Sequence, residues 1–276
     1  MSRGSGDAKI PAPARLCGRY LPHVRRSSCF ALAVVVSALT AGAVRAPAQD
    51  GPSELQKLVW RGQPVYCGDG SRRWVALTFD DGPGPYTLRL TNALRRAHAR
   101  ATFFLVGNRI GTWPAGARAD AAAGALGNHT WSHPHLPRLA HGRVFEQLQW
   151  TQLAIVRTTQ KVPALFRPPY EQANVKIDGV ARQLNMVDVR WDVDAQDAFA
   201  GATESSTVRN VLAAVRPGSI VLMHDAHPWT ADAATAIVRG LRARRLKPVT
   251  VTTLLERDAP KVGSACLARP HRRPHE

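Results

Sequence analysis

Between Arg72 and Asp258, short apolar and β-branched runs alternate with longer segments in which apolar residues recur every three or four positions. The short runs predict strands over residues 75–79, 102–106, 165–167, 187–191, 219–224 and 248–251, since such residues pack well on a pleated surface. Between them, Leu90, Leu94 and Ala97 recur at helical spacing, as do Phe145, Leu148, Ile155 and Val156. Strands alternating with helices imply crossover connections and a parallel sheet. The nearly unbroken apolar run "SIVLM" suits a sheet covered on both faces. The pattern therefore predicts a single α/β domain over residues 72–258, either a parallel barrel or a doubly wound sheet, and both place their chemistry at the carboxyl ends of the strands. An N-terminal extension (49–71) and a C-terminal tail (259–276), rich in Pro and Arg, read as extended or loose.

The first 48 residues change the picture of where the chain works. Basic residues ending in Arg25 and Arg26 precede an apolar run over residues 30–43, and Ala46-Pro47-Ala48 follows. That order predicts a secretory signal peptide over 1–48, an uncleaved anchor being the alternative. The formal net charge of the whole chain is +17, and removal of residues 1–48 leaves +11. Such a surface attracts polyanions, including anionic cell-wall polymers. The Lys and Arg residues are scattered, apart from the bunch at Arg242, Arg244 and Arg245, and no nucleic-acid recognition motif accompanies them. Of the four cysteines, Cys67 and Cys266 lie beyond the leader. In an exported protein they are a disulfide candidate that would fasten the two ends of the domain, with two free thiols as the alternative. So long a loop is worth on the order of 5 kcal/mol in the chain-entropy account.

The stretch "ALTFDDGPGPY" sets Asp80 and Asp81 side by side where a strand ends. An Asp-Gly turn alone would explain them; chemistry requires partners. In "GNHTWSHPH", His129 and His133 stand four apart, so one helical turn ended by Pro134 would put both imidazoles on one side. With one carboxylate they make a three-ligand set that leaves an open position, as catalytic zinc sites have. Two more strand ends contribute Arg167, on the rigid turn of "RPPY", and His224, in "MHD", where a proton donor to a leaving group would stand. A surface arginine and a core histidine are the plainer readings of these two.

The ordered set "TFDDG", "HTWSH", "RPPY", "DAQD" and "LMH" resembles the five motifs of the polysaccharide deacetylases, the NodB homology domain of carbohydrate esterase family 4, over residues 73–254. The resemblance implies a distorted (β/α) barrel with fewer than eight strands, and hydrolysis of N-acetyl groups on a sugar polymer. Carried over residue by residue, it makes Asp81, His129 and His133 the ligands of a divalent metal, zinc first and Co²⁺ as an alternative. Asp80 becomes the general base and His224 the general acid, oriented by Arg167 and Asp197 respectively. The Tyr170 backbone N–H would help hold the oxyanion, and Leu222 would line the slot for the acetyl methyl.

Two positions depart from the family pattern: Glu171 stands where Gly is usual and Ala198 where Trp is usual. Both are expected at the sugar groove, where Trp131 or Trp229 could supply another stacking surface, an ordinary buried Trp being the plainer reading of each. The readings that follow are a secreted or wall-associated monomer that deacetylates peptidoglycan or a chitin-like polymer, an O-acetyl xylan esterase using the same residues, and a non-catalytic wall-binding protein with a structural metal. A nucleic-acid partner is not expected.

Overall fold

Eight parallel strands build the sheet: β1 (Trp74–Gly82), β2 (Ala101–Leu105), β3 (Gly124–Asn128), β4 (Leu165–Phe166), β5 (Val187–Asp188), β6 (Val193–Asp194), β7 (Ile220–His224) and β8 (Lys247–Val249). The structure is a computed structural model that describes residues 51–267; the expected signal peptide lies outside the described residues. Seven strands form one path, β5-β4-β3-β2-β1-β7-β6, and β8 pairs only with the start of β1. Ala76 is bonded to Ile220 of β7 as well as to Val249 of β8. A strand has only two edges, so β8 takes the edge of β1 that β2 occupies from Thr78 onward. The result is a curled, distorted (β/α) barrel whose path has seven strands instead of a closed ring of eight.

Alternation along β1 decides which side chains face the interior. Val75, Leu77 and Phe79 pack outward with Leu90, Leu94, Ile237 and Leu241 of the surrounding helices. Ala76 packs inward with Phe104, Leu165, Val189 and Ile220, and Thr78 and Asp80 share its parity. Burial of each such Leu or Phe contributes about 1.5–3 kcal/mol. In the helix His141–Thr159 the buried stripe is Val144, Leu148, Thr151 and Ile155. Phe145 and Val156, read from the sequence as part of that stripe, are only half-buried.

Two strands escaped the pattern. β3, "GALGN", has too few strand-forming residues to be read from propensity. Its glycines permit close approach: a Cβ at Gly124 would stand 1.8 Å from the Ala101 carbonyl oxygen, and one at Gly127 would stand 2.3 Å from the Phe104 ring. β6 is two residues long, and only Val193 is buried.

The described parts of the flanking segments, residues 51–71 and 259–267, are packed against the domain, contrary to their composition. Residues Glu54–Arg61 form a helix capped by the Ser53 hydroxyl, which accepts the Gln56 N–H at 3.2 Å. The helix buries Leu55, Leu58 and Val59 against Val189, Leu254 and Leu255. Cys67 and Cys266 are joined in a disulfide across 199 residues, the Tyr66 N–H donates to the Cys266 carbonyl at 2.8 Å, and Leu267 is buried. Replacing both cysteines by serine is expected to lower stability by about 2–5 kcal/mol, measured by urea unfolding. An unchanged midpoint would show that these packed contacts hold the ends without the bridge.

Candidate active site

Because the strands are parallel, their carboxyl ends open on one mouth, and the predicted residues gather there. Asp80 is the last inward residue of β1. The pairing register of β1 with β2 slips between Asp80 and Gly82, and Asp81 adopts a left-handed φ of 70°. Such a bulge re-aims the side chain, so both carboxylates turn toward the mouth. The Asp81 carbonyl accepts from Arg109 Nη1 at 2.6 Å, which holds the turn.

His129 and His133 follow β3, but not on a helical turn as their spacing suggested. Thr130 and His133 have φ of 69° and 56°, and the loop is held by side chains. Asn128 Oδ1 accepts the Thr130 N–H at 2.9 Å, Thr130 Oγ1 accepts the His133 N–H at 3.1 Å, and Gln147 Oε1 accepts the N–H groups of Trp131 and Ser132 at 2.9 and 3.0 Å. Asp81 Oδ1 stands 3.6 Å from His129 Nε2 and 3.4 Å from His133 Nε2. Among the described residues these three form the one His/Cys/Asp/Glu group able to share an ion, with donor atoms all within 4.8 Å.

Each donor presents a suitable form. His129 Nδ1 donates to the Arg167 carbonyl at 2.8 Å; a carbonyl only accepts, so Nε2 is the nitrogen left to face Asp81. Burial, followed by the adjacent His129 ring, pushes the His133 imidazole below its ordinary pKa and favours the neutral form. Burial pushes Asp81 up, yet His129, His133, His224 and Arg109 together hold it below the usual carboxylate range.

Arg167, directly after β4, is fully buried inside the barrel. Its Nη1 donates to Asp80 Oδ1 at 2.8 Å and to Thr78 Oγ1 at 2.7 Å, Nε to the Val189 carbonyl at 3.0 Å, and Nη2 to the Arg190 carbonyl at 3.0 Å. The guanidinium also lies 4.1 Å from the centre of the Phe104 ring. The surface reading of this arginine is thereby excluded.

Across the mouth, His224 Nδ1 donates to Asp197 Oδ1 at 2.8 Å. Asp197 Oδ2 accepts the His224 N–H at 2.7 Å and the Thr230 hydroxyl at 2.6 Å, and Trp229 Nε1 donates to the Asp197 carbonyl at 2.9 Å. Burial lowers the His224 pKa, but the hydrogen bond and charge of Asp197, with Asp80 and Asp81 beyond, raise it to about 9.

Tyr170 stands after Pro168 and Pro169 with a left-handed φ of 58°. Its ring stacks on His135 at 4.2 Å and meets His133 edge-on at 4.6 Å. Leu222 is buried in β7, paired with Thr78 of β1 and Asp194 of β6. A second stack, His227 on Trp229 at 4.7 Å, adjoins His224, the His224 and His227 ring centres being 6.3 Å apart. Ala198 is exposed, and Glu171 gives its carbonyl to Arg190 Nη1 at 2.7 Å. Sequence reasoning missed Arg109, Gln147 and Thr230, which act by holding backbone or carboxylate and lie outside any local motif. His135, two residues after His133, was within reach of it.

Residues 68–189 match the family described as polysaccharide deacetylase. The chain is 35% identical over 190 residues to the peptidoglycan-N-acetylmuramic acid deacetylase PdaC of Bacillus subtilis (strain 168), a match covering 68% of this chain and 40% of that one. It is 34% identical over 183 residues to a bifunctional xylanase/xylan deacetylase of Cellvibrio japonicus, covering 66% of this chain and 27% of that one. A solved family 4 carbohydrate esterase from Streptomyces lividans, in complex with acetate, superposes with a TM-score of 0.63 at 34% identity, covering 68% of this chain and 98% of that one. The chain therefore belongs to the polysaccharide deacetylase family, the NodB homology fold of carbohydrate esterase family 4. It spans less than half the length of these two curated relatives.

Two outcomes follow from the buried pairs. Arg167→Met is expected to cost about 3–5 kcal/mol in urea unfolding, because Asp80 is left buried without its partner, and Asp80→Asn in the same chain should restore part of the loss; no recovery would place the cost elsewhere. His224 is raised from 6.5 in the unfolded chain to about 9, so its pairing stabilises the fold fully below about 6.5 and loses effect as pH rises through about 9. In metal-free protein, NMR titration should find His224 near that value and Asp197→Asn should bring it down; a resonance that stays put would acquit Asp197.

Proposed function

We propose that this chain is a secreted, metal-dependent hydrolase that removes N-acetyl groups from a wall glycan, peptidoglycan or a chitin-like GlcNAc polymer. The observation that carries this reading is the meeting, at one barrel mouth, of Asp81, His129 and His133 with two separately oriented proton-transfer groups, Asp80 and His224. The donor set suits a divalent ion. Tetrahedral ligand bonds of about 2.1 Å separate neighbouring donor atoms by roughly 3.4 Å, and Asp81 Oδ1 lies 3.6 and 3.4 Å from the two imidazole nitrogens. Mixed carboxylate and imidazole ligation favours zinc, with Co²⁺ a workable substitute.

Asp81, His129 and His133 would hold the ion, which supplies Lewis acidity toward the acetyl carbonyl and lowers the pKa of water. Asp80 receives the proton of the attacking water. Arg167 engages its Oδ1, while Oδ2 faces the cluster, 3.8 Å from His129 Nε2. A C–O bond forms as the carbonyl oxygen becomes an oxyanion; the C–N bond then breaks as that oxyanion collapses, and His224 gives its Nε2 proton to the departing amine. A pKa near 9 keeps that proton available at neutral pH. The Tyr170 N–H steadies the oxyanion, and Leu222 borders the methyl slot. The stacks His135–Tyr170 and His227–Trp229 flank the mouth and offer ring faces to pyranose units.

The leader-like residues 1–48 and the Cys67–Cys266 bridge support export as a secreted or wall-associated protein. The similarity to a xylan deacetylase favours a second reading, O-deacetylation of xylan by the same residues. Mature protein stripped with chelator should release no acetate, and added Zn²⁺ or Co²⁺ should restore release from peptidoglycan or chitin oligomers above that from acetylxylan. Asp80→Asn and His224→Ala should each lower kcat by about 10²–10⁴-fold. Recovery on acetylxylan alone selects the second reading, and recovery on no substrate rejects both.

A further inference from the structure

At the amino-terminal ends of β2 and β8, opposite the mouth, two cavities of about 340 and 310 Å³ meet at His98. Arg242, Arg245 and Lys247 line one, Arg95 and Arg100 the other, and among the described residues no acidic one lines either. All five cations are exposed, and none is ion-paired among the described residues.

The plain explanation is helix capping. Thr87–Arg96, Pro114–Ala123 and Pro228–Ala243 all end at this face, and cations complement helix C-termini. Three such ends carry roughly −1.5 charges in all, against five fixed positive charges, so most of the charge is uncompensated. Two guanidiniums are also pre-positioned: Arg242 Nη2 donates to the His98 carbonyl at 3.1 Å and Arg100 Nη1 to the Ala122 carbonyl at 2.9 Å. Each bond engages one nitrogen and leaves others free for a ligand. Guanidinium groups match phosphate oxygens in geometry as well as charge.

We infer that this double cavity binds a linear polyanion of the cell envelope with a phosphodiester backbone. Cations on both sides of His98 favour a chain of anionic groups over a single one. Among the described residues no Phe, Tyr or Trp lines either cavity, and proteins that bind single-stranded nucleic acid stack its bases on such rings. The nine residues of β1 separate this face from the mouth by roughly 25 Å at 3.3 Å per residue, so an occupied cavity leaves the mouth open. The choice of an envelope polymer rests on the export proposed above, whereas binding at this face is tested without the deacetylase activity.

Fluorescence anisotropy of the full chain should detect binding to labelled inorganic polyphosphate and to a purified glycerol-phosphate wall polymer, weakening as salt rises. Arg100→Glu with Arg245→Glu should weaken both by about tenfold or more. Arg138→Glu with Arg209→Glu, the same change in charge at other exposed positions, should change them by less than about twofold. Thermal melting by circular dichroism checks that each variant is folded. Equal losses in the two double variants would overturn the site in favour of diffuse attraction. Tighter binding of single-stranded DNA than of the wall polymer would overturn the choice of partner, and no binding of the wall polymer, whether or not inorganic polyphosphate binds, would overturn the inference outright.

Discussion

The arrangement at the mouth depends on one buried ion pair, Arg167 with Asp80. Removing a guanidinium from water costs several kcal/mol, and the barrel offsets that cost with four hydrogen bonds and the faces of Phe104 and Trp191. The same residue also acts through its backbone. Its N–H donates to the Asn128 carbonyl, and its own carbonyl accepts from His129 Nδ1 at 2.8 Å. One arginine thus fixes the carboxylate at the end of β1 and the tautomer of the imidazole after β3. An apolar side chain at position 167 could fill the same volume and keep the backbone bond to His129, but it could not hold Asp80.

Backbone strain gathers around this pair. Asp81, His133 and Tyr170 each hold a left-handed φ, of 70°, 56° and 58°, a conformation that costs non-glycine residues of order 1–3 kcal/mol. The surroundings keep two of them there by specific bonds: Arg109 holds the Asp81 carbonyl, and Thr130 and Gln147 hold the loop that carries His133. Rigid strands set the spacing of the groups, and the strained residues just beyond them set their direction.

This division explains what the sequence made legible. The parallel alternation and most strands followed from periodicity, and the paired aspartates followed from the rule that chemistry sits at carboxyl strand ends. The two histidines were found for a reason that does not hold locally: a spacing of four suggested a helical turn, whereas two left-handed residues bring them together. β3 was hidden because its glycines serve close approach to β2 and weaken any strand signal. The helix Glu54–Arg61 was readable in Leu55, Leu58 and Val59, but the Pro- and Arg-rich composition around it pointed the other way. The burial of Arg167 had no local signal at all, since it is decided by residues 22 and 87 positions away.

The environments of the ionisable groups then separate roles that residue type alone leaves open. Asp80 keeps the inward parity of β1 and a guanidinium partner; Asp81, one residue on and past the bulge, faces two imidazoles. A carboxylate bound to a cation is a poor base, so in the proposed mechanism the bulge that splits the pair would also split ligand from proton acceptor. The histidines diverge in the same way: burial and a neighbouring ring keep His133 neutral, whereas Asp197 keeps His224 protonated to about 9. An imidazole must lose its proton to bind a metal and keep it to act as an acid. For the proposed roles, burial and a second imidazole suit His133 to the first demand, and a buried carboxylate suits His224 to the second.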